Sequence, residues 1–112
     1  MTDRKIGNAL KELGIFPSYK GYRYLIELIK LVHKQELKIG YMTKIGYPRT
    51  ARLCQCTSEG VERSCRSAIA TSYKHYEDVY YELLHLRHKP STSEFIFTVE
   101  DYLTNKEEEI AE

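Results

Sequence analysis

Long apolar runs are absent from this chain: no stretch approaches the ~20 consecutive apolar residues that a membrane span requires. The opening segment, MTDRKIGNALKEL, holds only isolated apolar residues and does not read as a secretory signal. Cysteine is scarce, with Cys54, Cys56 and Cys65 an odd set that contains no C-x-x-C pair. Nothing here resembles a disulfide framework, so the expected compartment is a reducing cytoplasm. Internal repeats and low-complexity linkers are missing too. What is present suffices for one folded domain: 112 residues, 42% hydrophobic and 29% charged.

The formal net charge of +1 averages two unlike regions. Residues 100–112 hold six carboxylates against Lys106 alone, a net of −5, which leaves +6 on residues 1–99. A mildly basic body suits a polyanionic partner, and an ordinary solvated surface gives the same balance.

Helical periodicity dominates. Ile6, Ala9, Leu10 and Leu13 line one face of a first helix, ended by Gly14 and Pro17. Ser18 is a candidate cap for a second helix, whose broad apolar face runs from Tyr22 to Val32 with Glu27 and Lys30 on the polar side. Residues 36–47 read as a short helix around 38–45, because no second strand exists to pair with them. Pro48 fits the first turn of a helix that reaches about Gln55 and buries Ala51 and Cys54. Thr57 or Ser58 then caps a helix to about Tyr73 that buries Val61, Cys65, Ala68 and Ile69. A further helix is expected within 73–88. A last one starts at Ser91 or Ser93, with Phe95, Ile96, Val99, Tyr102 and Leu103 on its apolar face. The spacing thus predicts an all-α domain over 1–104, with a helix-turn-helix at 48–73 and a frayed acidic tail at 105–112.

Tyr47 to Ile69 has the outline of a DNA-reading unit: short helix, polar turn, second helix. The exposed side of that second helix carries Ser58, Glu59, Glu62, Arg63, Arg66 and Ser67. Arginine can give two hydrogen bonds to guanine, and glutamate can accept from cytosine or orient an arginine. The same residues also fit a plain solvated helix, since Glu59–Arg63 and Glu62–Arg66 are both four apart. Periodicity does not separate the two readings. Lys44, Arg49 and Lys74 are candidate phosphate contacts.

Rival constellations are weaker. The three cysteines plus a histidine fit no common zinc spacing. His85 and His88 would share a helix face, but no carboxylate motif accompanies them. Cys65 with His75 could form a nucleophile pair, yet Cys65 is expected to face inward. The tyrosines from Tyr73 to Tyr81 have the spacing of core or dimer packing rather than of base stacking. Neither an enzyme nor a metal or other cofactor is expected.

The segment MTKIGYPRTARLCQCTSEGVERSCRSAI, Met42 to Ile69, resembles the C-terminal effector domain of the stage-zero sporulation master regulator of endospore-forming Firmicutes. Thr43, Lys44, Tyr47, Pro48, Ala51, Thr57, Val61, Glu62, Arg63, Arg66, Ala68 and Ile69 match its pattern in register. GIFPSYKGYRYL (Gly14 to Leu25) and KPSTSEF (Lys89 to Phe95) look like two further blocks of that family. The resemblance covers about residues 3–104. It implies about six helices around a helix-turn-helix, a winged-helix-like response-regulator effector. It also implies binding to operator boxes in promoter DNA, often as a head-to-tail pair, with RNA polymerase as a further partner. Glu62, Arg63 and Arg66 take base-reading or adjacent phosphate-contacting positions by this likeness, and Cys54 and Cys65 replace a buried Phe and Ile. The departures are Gly60, where the family has arginine, Ser67, where it has histidine, and the tyrosine-rich segment 73–88. The family's full proteins place a receiver domain before this one, so the chain is expected to be either an excised piece of such a protein or a stand-alone effector, and the MTDRKIG start favours the latter. The expected function is a sequence-specific transcriptional regulator in the cytoplasm. The alternative is a protein-interaction module that pairs with a full-length family member and modulates it.

Overall fold

The computed structural model describes residues 1–111. Among these there are five α-helices: α1 (Asp3–Glu12), α2 (Lys20–His33), α3 (Tyr47–Cys54), α4 (Ser58–Leu84) and α5 (Thr92–Ala111). A π-helical turn, Met42–Gly46, leads directly into α3. The described residues contain no strand, so the winged-helix likeness does not extend to a β wing.

The hydrophobic faces fold as their spacing requires. Ile6, Ala9, Leu10 and Leu13 of the α1 region are buried, as are Val61, Cys65, Ala68 and Ile69 of α4 and Phe95, Ile96, Val99 and Leu103 of α5. The central element is α2, which packs against all four other helices. Gly21, in its first turn, permits a close approach to α4. A Cβ at that position would lie 2.6 Å from the backbone carbonyl oxygen of Ser64 in α4.

Several local expectations need correction. α2 begins at Lys20 behind Tyr19, so Ser18 is not its cap. Glu27 is not on a solvated face but only 7% exposed. Arg23 holds it at 3.0 Å and Lys30 at 3.6 Å, and Lys30 also reaches Asp3 of α1 at 3.0 Å. A buried carboxylate is tolerable only when paired in this way. The Asp3 contact, ahead of the nearby Glu27 charge, raises the Lys30 pKa.

The expected helix at 38–45 is instead the π-turn, in which the Gly46 amide donates to the Tyr41 carbonyl five residues back at 3.2 Å. The two helices expected over 58–73 and 73–88 are one element, α4, bent at Tyr76 where φ is −129°. It stops at Leu84, with His85 left-handed at φ +58°, so His85 and His88 do not share a helix face. At the C-terminus, α5 runs on to Ala111 instead of ending near Thr104, and Glu107 lies 3.7 Å from the Met1 amino group.

Candidate nucleic-acid interface

The turn Gln55–Thr57 joins α3 to α4. Gln55 adopts the left-handed conformation at φ +57°, closing α3. Thr57 then opens α4: its Oγ1 accepts from the Gly60 amide at 3.0 Å, satisfying one of the amides that a helix start leaves unpaired. Thr57, not Ser58, is therefore the cap. Thr57→Ala is expected to lower stability by about 1 kcal/mol, measurable as a shift of the urea midpoint with unchanged slope.

Once α4 starts there, its faces are set by the ~100° advance per residue. Val61, Cys65, Ala68, Ile69 and Ser72 are buried, and Glu59, Arg63, Arg66 and Ser67 are exposed on the opposite side. Ser58 and Glu62 are half-buried at the margins. Of the two ion pairs allowed by spacing, one forms, with Arg66 donating to Glu62 at 2.5 Å. Arg63 has no hydrogen-bond or ion-pair partner among the described residues. Its fork is therefore available to an external acceptor, whereas Arg66 is held in place by Glu62.

The other candidates lie apart. Lys74 is exposed on the same side of α4 as Arg63, eleven residues and thus about 16 Å further along the axis. Lys44 is exposed on the π-turn. Arg49, on α3, is engaged by Glu36 at 2.7 Å. Two cations absent from the sequence-level set belong beside α4. Lys20 lines a cleft with Arg63 and Ser67, and Lys89 lines a second cleft with Glu62 and Arg66. Both fall inside the blocks GIFPSYKGYRYL and KPSTSEF, which gave the only sequence signal that could have found them.

The cysteines divide by position. Cys65 is fully buried, and burial pushes its thiol well above the usual range. His75, its suggested partner, is exposed. Cys54, expected in the core, is only half-buried, because it sits at the end of α3 where the chain turns outward, and Cys56 is exposed. Among the described residues no three His, Cys, Asp or Glu side chains gather as metal ligands. No helix among them is long and apolar enough to cross a membrane.

A short capped helix, a tight turn and a second helix presenting arginines outward define a helix-turn-helix domain of the DNA-binding class. The chain belongs to the family described as Sporulation initiation factor Spo0A C terminal, which it matches over residues 6–103. That family is one of DNA-binding domains in sporulation regulation, and the match takes in α2, α3, the turn and α4 whole and most of α1 and α5.

Proposed function

We propose that this protein is a sequence-specific transcriptional regulator that acts by binding and not by catalysis, with the α4 segment 58–73 as its recognition helix. The observation that carries the reading is the unpartnered, exposed Arg63 beside the Glu62–Arg66 pair on a helix whose opposite side is fully packed. Arg63 reads a base edge. Arg66, oriented by Glu62, reads a second base or the adjacent phosphate. Serines 58 and 67 and Glu59 border the contact, and Lys44 and Lys74 neutralise backbone phosphates. Arg49 joins them only by releasing Glu36. A head-to-tail pair on tandem boxes and a contact with RNA polymerase are further parts of this reading, suggested by the family.

A fluorescence-anisotropy titration with the family's operator box against scrambled DNA tests it. The expected result is tighter binding to the box by at least ~10³-fold, with affinity falling steeply as salt rises. Equal affinity for both duplexes would overturn base reading. No binding to either would favour a module that pairs with another family member.

A further inference from the structure

Two clefts border the exposed ridge of α4. The first lies against the start of α2 and is lined by Lys20, Arg63, Ser64, Ser67 and Thr71. The second lies against the start of α5 and is lined by Thr43, Glu62, Arg66, Lys89, Ser91 and Ser93. Each cleft therefore pairs one arginine of α4 with one lysine from another element and a set of hydroxyls. Lys20 and Lys89 are exposed, and among the described residues neither has a hydrogen bond or ion pair. No carboxylate lines the first cleft, and α2 has no acid in its first turn. The single carboxylate of the second, Glu62, is occupied by Arg66.

A helix about 10–12 Å across fills a major groove about 12 Å wide. Surface that flanks such a helix on its two sides then faces the two sugar-phosphate strands, one on each side. We infer that Lys20 and Lys89 are phosphate clamps, each on a different strand, with Ser67 and Thr71 donating to the first phosphate and Ser91 and Ser93 to the second. The inference rests on α4 being the recognition helix. Contacts of this kind carry no sequence information themselves. They fix the angle and register at which Arg63 and Arg66 meet the bases. The two clefts need not be equal: the first, free of carboxylate, holds its phosphate more strongly.

The test uses the full chain with Lys20→Gln, Lys89→Gln and the double variant. Both sites are exposed, so melting temperatures stay unchanged. The slope of log K against log salt falls by about 0.9 in each single variant and about 1.8 in the double, while the ratio of operator to scrambled affinity is kept. Methylphosphonate substitution, which neutralises one phosphate at a time, then maps the two lysines. A neutral linkage on one strand cancels the effect of Lys20→Gln, and one on the other strand cancels that of Lys89→Gln. Unchanged slopes, or both lysines mapping to one strand, would overturn the clamp. If the wild type itself does not prefer the operator, the recognition-helix reading fails first. A wild type that does prefer it, combined with unchanged slopes, sinks the clamp alone.

Discussion

Arg63→Ala lowers affinity for the operator box by about 1–3 kcal/mol, roughly 5- to 150-fold, and relaxes preference at one base position. The expectation follows from geometry. Arg63 stands on the exposed side of α4 with no internal acceptor among the described residues, so its bidentate capacity is unspent in the free protein. Removing it deletes a base contact without disturbing the fold. Arg66 differs, because truncating it also releases Glu62 from its 2.5 Å bond. Arg66→Ala therefore combines a lost contact with a new free carboxylate beside a phosphate, and Glu62→Ala combined with it is non-additive. Competition binding against a panel of single-base operator variants measures both effects. A uniform loss on operator and scrambled duplexes alike would reassign Arg63 to the phosphate backbone.

Gly14→Ala destabilises the domain by about 2–4 kcal/mol, a loss of ~10 °C or more in melting temperature. Two independent costs meet at this residue. Its φ of +85° lies in the region that a side chain disfavours, at about 1–2 kcal/mol. A Cβ there would also fall 2.3 Å from Cδ1 and 2.8 Å from Cγ of the Tyr76 ring. Because Cγ is bound close to the backbone, a small swing of the ring does not clear the space, and Tyr76 sits where α4 bends. Gly40 supplies the control: its φ is +91°, but an added Cβ would meet nothing within 4 Å. Gly40→Ala carries only the conformational cost of about 1–2 kcal/mol. Equal losses for the two variants in chemical denaturation would show that the Tyr76 contact contributes nothing.

The same contact explains part of what the sequence left illegible. Helix faces were readable because burial follows the 3.6-residue period, and Pro48, Thr57 and Ser91 were readable because caps are local chemistry. The Ser91 hydroxyl does accept from the Glu94 amide, at 3.1 Å. The bend at Tyr76 was not readable, since it arises where a glycine sixty-two positions earlier meets the ring. Glu27 looked solvated because its partners include Lys30, whose second tie is to Asp3 on another helix. The length of α5 defied local reasoning for a similar cause. Three consecutive glutamates near a helix C-terminus oppose its dipole, yet the Met1 amino group stands beside Glu107. In the interface, the Glu62–Arg66 pair was visible as an i, i+4 spacing. Lys20 and Lys89 were not, because only the chain's path brings two such distant residues to opposite flanks of one helix.

The tight seat of α4 on α2, with Gly21 facing the Ser64 carbonyl, bears on the thermodynamics of association. The proposed reading helix is already formed, capped and backed by core before any duplex arrives. Its backbone loses little freedom on docking, so little of the contact energy is diverted to ordering the chain. Association should then show only the modest heat-capacity decrease of burying a preformed surface, without the large negative value that marks a segment folding as it binds.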